Sequence, residues 1–93
     1  ALLYGVFGES MKIIEFVRDR CLVCQFRRHR FELERDPNEC HGNWYMSVTD
    51  SAGGVACDGW IDDSSSLTAQ QAMGAACDGA LLEPPKRWPK SAI

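Results

Sequence analysis

The fold is decided by residues 29–82, which read HRFELERDPNECHGNWYMSVTDSAGGVACDGWIDDSSSLTAQQAMGAACDGALL. Apolar and polar residues alternate with a period of two over 30–35 and again over 44–49, and this alternation predicts strands with one buried face. Residues 50–54 predict a hairpin connection, because glycine adopts positive φ without strain. Val55 and Cys57 then predict a third strand, reaching Trp60. Consecutive strands joined by short turns predict an antiparallel meander.

An alanine-rich helix is predicted after these strands. Its apolar residues recur at helical spacing and are Ala69, Ala72, Met73, Ala76, Cys77, Ala80 and Leu81. The preceding DDSSS run, residues 62–66, is rich in N-cap residue types and predicts the helix start, with carboxylates favouring the positive end of the helix dipole. Small side chains allow close packing on the sheet. The fold class is therefore α+β: a meander of three to five strands with one C-terminal helix on one face.

Residues 11–25 leave two alternatives open. Ile13, Ile14, Val17, Cys21 and Cys24 fit a helical stripe, whereas the β-branched and aromatic residue types favour two strands around a turn at 19–20. We favour the strands. Residues 1–10 are apolar and predict an extension or an edge strand, and residues 83–93, with three prolines, predict an extended tail.

Length and composition predict one domain spanning 1–93. The 93 residues are 45% apolar and 25% charged, as in ordinary globular domains, and a chain of this size buries roughly 60 to 65% of its unfolded surface. No segment is long and apolar enough to span a bilayer, and we expect no export signal and no membrane partner. Five cysteines are a poor disulfide framework, so a cytoplasmic location is expected.

Charge is unevenly distributed along the chain, although the net charge is only −3. Seven basic residues lie between 11 and 35, none lies between 36 and 85, and the tail is basic again. The middle segment carries eight acidic residues. Oppositely charged surfaces on one molecule attract copies of itself, so we expect a homo-oligomer.

Motifs for metal, redox or catalytic chemistry are weak in this chain. Cys21, Cys24, Cys40 and His41 supply four soft ligands, but their spacing differs from zinc ribbons and fingers, and buried thiols are the favoured interpretation. The CxxC pair lacks the following helix N-terminus that would lower a thiol pKa. His29 or His41 would need a positioned partner to act as a base. We therefore expect no cofactor and no catalytic residue, although a small enzyme with a site at a subunit interface remains an alternative.

Nucleic-acid binding is the main alternative function. Arg27, Arg28 and Arg30 are flanked by Phe26 and Phe31, a mixture of cations and aromatics that can contact phosphates and stack on bases. With a helix at 11–25, the order α-β-β-β-α would resemble a double-stranded RNA-binding domain, and residues 72–76 resemble the small-residue second helix of that family. That family places lysines at the start of its second helix. Here acids and serines occupy the place.

This protein is a small α+β chain with free cysteines. In that general character it resembles the small proteins encoded on mobile gene cassettes of integrons. This resemblance implies an accessory or adaptive binding role and transfers no site residue. Together these patterns predict a non-enzymatic protein that self-associates and binds a protein partner or a small ligand. Large aromatic side chains supply contact area at low entropic cost, and the candidates are Tyr4, Trp44, Tyr45, Trp60 and Trp88.

Overall fold

The computed structural model describes residues 11–89. Five strands precede a single α-helix in this part of the chain: β1 (Met11–Val17), β2 (Cys21–Phe26), β3 (His29–Arg35), β4 (Trp44–Thr49), β5 (Val55–Trp60) and α1 (Ala69–Gly79). The strands form one antiparallel sheet whose spatial order equals the chain order. The predicted α+β class, with its meander and C-terminal helix, is confirmed.

The segment 11–25 forms strands rather than a helix. β1 and β2 pair as a hairpin with Val17 opposite Cys21, and the Arg20 amide donates to the Val17 carbonyl at 2.9 Å across the turn. A register shift between Ile13 and Glu15 marks a bulge in β1. Because residues 11–25 form strands, the α-β-β-β-α order that a helix in this segment would give does not occur within residues 11–89.

Two arginines form the turn between β2 and β3. Phe26 and His29 are directly opposite, which leaves Arg27 and Arg28 as a two-residue connection with φ of 52° and 62°. Positive φ at both central residues is the requirement of a type I′ turn, whose twist matches that of the flanking strands. Most such turns use Asn or Gly, so this turn stores backbone strain.

The core lies between one face of the sheet and α1. Its fully or nearly fully buried side chains come from β2, β3, β4 and α1, and they are Leu22, Cys24, Phe26, Phe31, Leu33, Trp44, Val48, Ala69, Ala72, Met73, Ala76 and Cys77. The Cys24 Sγ is 3.8 Å from the Met73 Sδ, directly between sheet and helix. At Gly79, an added Cβ would lie 3.2 Å from atoms of both Cys57 and Met46. Small helical residues therefore let α1 lie close to the sheet, as predicted.

The helix starts later than the serine-rich run suggested. Thr68 is the N-cap, and it forms a capping box in which its hydroxyl accepts from the Gln71 amide while the Gln71 side chain accepts from the Thr68 amide. The first turn contains no acidic residue. The prediction of a start within residues 62–66 was wrong, because Ser64 is buried and bonds to the sheet instead.

The helix also ends earlier than its apolar stripe suggested. Leu81 adopts φ of 60° and is 93% exposed, so its predicted place on the buried face was wrong. The Leu82 amide donates to the Cys77 carbonyl, and the Leu81 amide donates to the Asp78 carbonyl. These two bonds form a Schellman motif, which ends a helix with one residue in the left-handed conformation.

The two chain ends are described to different extents. The predicted N-terminal extension or edge strand, residues 1–10, lies outside the described residues, as does the end of the tail. Residues 82–89 contain no helix or strand, Pro85 is buried, and Trp88 packs half-buried against the core. The extended form of the whole tail stays a prediction. Within residues 11–89, no helix combines the length and the apolar character needed to cross a membrane.

Candidate functional site on the open face of the sheet

The face of the sheet opposite α1 carries the candidate site. We call this surface the open face, and it consists of the strand residues that alternate with the core residues. Register brings them into rows that cross the strands. The first row is Val17, Cys21, Glu34, Tyr45 and Trp60, and the second is Glu15, Val23, Glu32, Ser47 and Asp58.

Two adjoining cavities of about 650 and 520 Å³ lie over these rows. Both are lined by Arg20, Cys21, Glu34 and Tyr45, and they therefore form one continuous depression, which we call the open-face groove. Each volume falls within the range of roughly 300 to 1,000 Å³ that is typical of small-molecule sites. The groove extends past the end of β3 to Asp36 and Glu39.

An aromatic pair forms the apolar part of the groove. The rings of Tyr45 and Trp60 meet edge to face, with centroids 5.1 Å apart and planes at 76°. Trp60 remains 46% exposed although it lies in a strand. Edge-to-face packing restricts both rings, so the exposed part of Trp60 is a preorganised aromatic surface.

Acidic side chains dominate the charge of the groove. Its lining holds the carboxylates Glu15, Glu32, Glu34, Asp36 and Glu39 and the guanidinium groups Arg20 and Arg35. The Arg35 guanidinium is engaged elsewhere: its Nε donates to the Asp19 carbonyl at 3.1 Å, its Nη1 donates to the Ser65 carbonyl, and it lies over the Trp44 ring.

The pKa of the Cys21 thiol responds to the burial and to the negative charges of the groove. Burial raises the pKa of its thiol, and the neighbouring carboxylates of Glu15 and Glu34 raise it further, against a hydrogen bond with Val17 that lowers it. A negative field destabilises the thiolate, so the thiol of this residue stays protonated at neutral pH. Cys21 is therefore a groove residue with a weakly nucleophilic thiol at neutral pH.

The predicted aromatic candidates separate into two groups. Tyr45 and Trp60 meet in the groove, as described above. Trp44 is completely buried, and its Nε1 donates to the Leu67 carbonyl at 3.0 Å, so it stabilises the core instead of contacting a ligand. Trp88 packs against the core, and Tyr4 lies outside the described residues.

The three arginines proposed for nucleic-acid contact do not form one surface. Arg27 packs over the Phe26 ring at 5.1 Å in the β2–β3 turn, and Arg28 is the exposed residue of the same turn. Arg30 stands on the open face, where its Nε lies 3.2 Å from a carboxylate oxygen of Glu32. An interspersed acid reduces the attraction of such a surface for phosphates.

The weak metal candidates are also separated. Cys21 and Cys24 are three residues apart in β2, which places them on opposite faces of the sheet, and Cys24 is fully buried in the core. Cys40 and His41 belong to the β3–β4 connection, where Cys40, His41 and Gly42 all have positive φ. Residues 11–89 contain no group of three or more His, Cys, Asp or Glu side chains placed to hold a metal ion.

Neither histidine lines the open-face groove. The Nδ1 of His29 lies 2.7 Å from the Arg27 carbonyl, so this ring completes the β2–β3 turn. His41 sits at φ of 61° in the β3–β4 connection. The groove therefore contains neither of the two histidines that the sequence offers as candidate bases.

Sequence reasoning missed the carboxylates and Cys21 as partners of the aromatic pair. The signal was present in the alternation itself, because Glu32 and Glu34 are out of phase with the buried Phe31 and Leu33. The pairing of Glu34 with Tyr45 depends on strand register, which the loop lengths fix only after the fold is known.

Comparison with known proteins adds no relative, since no family model, no curated protein and no solved structure matches this chain.

Proposed function

We propose that this chain is a non-catalytic binding protein whose open-face groove holds a ligand on Tyr45 and Trp60. The observation that carries the proposal is the edge-to-face aromatic pair beside a groove of about 650 Å³. An aromatic side chain that is half exposed on a rigid strand loses little conformational entropy on binding. The groove also has hydrogen-bonding groups at its border, which can fix the orientation of a ligand.

The second part of the proposal is self-association of the chain. β3 separates the basic turn at Arg27 and Arg28 from its other end, where the groove lining holds three carboxylates and two guanidinium groups. A strand of 7 residues spans about 23 Å, so the two charged ends are well separated. Opposite charges at opposite ends favour a head-to-tail contact between copies.

Native mass spectrometry of the purified protein tests the ligand site. We expect a retained mass increment on the wild type that is lost in Tyr45→Ala and in Trp60→Ala, because each variant removes one ring of the pair. Val55→Ala is the matched control, since Val55 is 62% exposed and lies on the same strand as Trp60. Equal increments in all variants would place the ligand elsewhere and contradict the proposal.

The same spectra test self-association. A multiple of the 10.4 kDa chain mass is expected at low ionic strength, and it should diminish as salt increases. Arg28→Glu should weaken the multimer, because the exposed guanidinium becomes a carboxylate. A monomer at every salt and protein concentration would remove this part of the proposal while leaving the groove unaffected.

A further inference from the structure

The chemical class of the groove's ligand follows from its charge and its rings, provided that the proposed binding function is correct. Cross-strand register places the Glu34 side chain next to the Tyr45 ring on the open face, and Tyr45 next to Trp60. Directly opposite residues on one face of an antiparallel pair have Cβ atoms about 4.5–5.5 Å apart. A group seated on the rings therefore lies within reach of the Glu34 carboxylate.

An aromatic face attracts a positive charge. The π-electrons of Tyr and Trp form a negative ring face, which attracts a cation held within about 6 Å of the ring centroid. A carboxylate beside the ring adds Coulomb attraction of the same sign. The combination disfavours carboxylate and phosphate ligands, which both features repel.

The groove's charge also argues against a second copy bound face to face. The groove lining holds five carboxylates and two guanidinium groups, so two copies placed groove to groove would carry net charge of the same sign. Like charges in such a contact cost several kcal/mol and suppress the pairing. Arg30 forms an ion pair with Glu32 on the same face, but the five carboxylates of the lining still outnumber Arg20, Arg35 and Arg30.

We propose that the open-face groove binds a small organic cation, an alkylammonium or guanidinium compound, with its charged group on Tyr45 and Trp60 and beside Glu34. The available volume of about 650 Å³ accommodates a molecule of this kind with an organic chain attached. In the second row, the Glu15 carboxylate offers a position for a second positive charge along that chain.

Cys21 provides a reporter at the site. Its thiol is half-buried in the groove, so the rates at which it reacts with two methanethiosulfonates of similar size measure the local preference for charge. One reagent carries a trimethylammonium group and the other a sulfonate group. Mass spectrometry of proteolytic peptides identifies modification at Cys21, and N-acetylcysteinamide in solution supplies the reference ratio.

We expect the cationic reagent to react at least 10-fold faster than the anionic one at Cys21, after division by the reference ratio. Glu34→Gln should reduce this preference at least 3-fold, whereas Asp62→Asn, which removes a carboxylate outside the groove, should not change it. A change in the thiol pKa alters both rates equally and cancels in the ratio.

Agmatine should protect Cys21 from the uncharged reagent methyl methanethiosulfonate, and it should do so more strongly than sodium chloride of equal ionic strength. Tyr45→Ala should abolish that protection.

Equal normalised rates, or a faster sulfonate reagent, would overturn the cation inference. So would protection by agmatine that is unchanged in Tyr45→Ala. If native mass spectrometry still shows a neutral or anionic ligand that Trp60→Ala removes, the groove is a binding site and only its charge preference is wrong. If Tyr45 and Trp60 affect neither experiment, both the cation inference and the proposed function fail.

Discussion

At the scale of single residues, Ser64 connects the loop after β5 to the first residue of β4. Its hydroxyl donates to the Ile61 carbonyl at 2.6 Å and accepts from the Trp44 amide at 2.8 Å, while its own amide donates to the Asn43 side chain at 3.0 Å. Ser64 is fully buried, so each of these polar groups depends on the others for hydrogen bonds.

Ser64→Ala should therefore destabilise the protein. The Trp44 amide and the Ile61 carbonyl would lose their buried partner, which costs about 1–3 kcal/mol. Urea unfolding followed by circular dichroism measures the change. Ser66→Ala, at an exposed position of the same loop, should change the free energy of unfolding by less than about 0.5 kcal/mol, and equal effects of the two variants would contradict the role of Ser64.

Leu81 is a second residue whose effect on stability can be tested, because its backbone conformation is strained. It occupies the left-handed position of the Schellman motif, where a non-glycine residue is strained, and its side chain packs on almost nothing. Leu81→Gly should stabilise the fold by about 1 kcal/mol because it removes that strain. Thermal unfolding measures this gain, and Leu81→Ala, which keeps the Cβ, should show little or none of it.

At the scale of elements, the β2–β3 turn combines charge with backbone strain. Arg27 is tied to its surroundings through the Phe26 ring, whereas Arg28 is exposed at φ of 62°. Arg28→Gly should raise stability by about 0.5–1 kcal/mol, because glycine suits the second position of a type I′ turn. Arg28→Ala removes the same charge but keeps the strain, so a gain in that variant as well would assign the effect to charge.

The elements themselves could largely be predicted from sequence. Strands β3 and β4 follow from alternation and the glycine-containing β4–β5 turn follows from local residue chemistry, whereas the Arg27–Arg28 turn carries no such local signal. The predicted helix boundaries were wrong because contacts between residues distant in sequence determine where the helix begins. The polar run before α1 looks like a cap, but the position of Ser64 against Trp44 moves the helix start to Thr68.

The candidate site was predicted only in part, because it too depends on contacts between residues distant in sequence. Alternation separates Trp44 from Tyr45 onto opposite faces, but aromatic composition alone gives both of them equal weight as ligand contacts. The groove depends on the register that aligns Cys21, Glu34 and Tyr45 across three strands. Register emerges from the complete sheet, so no single segment of sequence contained the site.

At the scale of the whole molecule, the core between sheet and helix is rich in sulfur, and this gives stability a dependence on alkaline pH. Burial raises the pKa of the Cys24 thiol to about 12, and burial together with Asp78 raises that of Cys77 to about 11. Above the ordinary thiol pKa of about 9, the unfolded chain loses protons that the folded chain retains. Stability is therefore fully present below pH 9 and falls as pH rises towards 11.

The free energy of unfolding should fall by up to about 1.4 kcal/mol per pH unit for each of these thiols in that window. Urea unfolding at pH 8, 9, 10 and 10.5 measures the slope. Cys24→Ala lowers stability at all pH values because it leaves a cavity, but it should also reduce the slope. An unchanged slope in Cys24→Ala would show that other groups cause the alkaline loss.

The chain-order arrangement of the sheet also has a consequence for how fast the protein folds. Each strand pairs with its neighbour in sequence, and the connections between strands contain only two to eight residues. Hairpins with such connections form in roughly 1–10 μs, since closing a short loop costs little entropy. The slower event is then the docking of α1, whose partners Cys24 and Phe31 lie more than 35 residues earlier in the chain. We therefore expect the hairpins of the meander to form early and the burial of the sulfur-rich core to follow as the slower step.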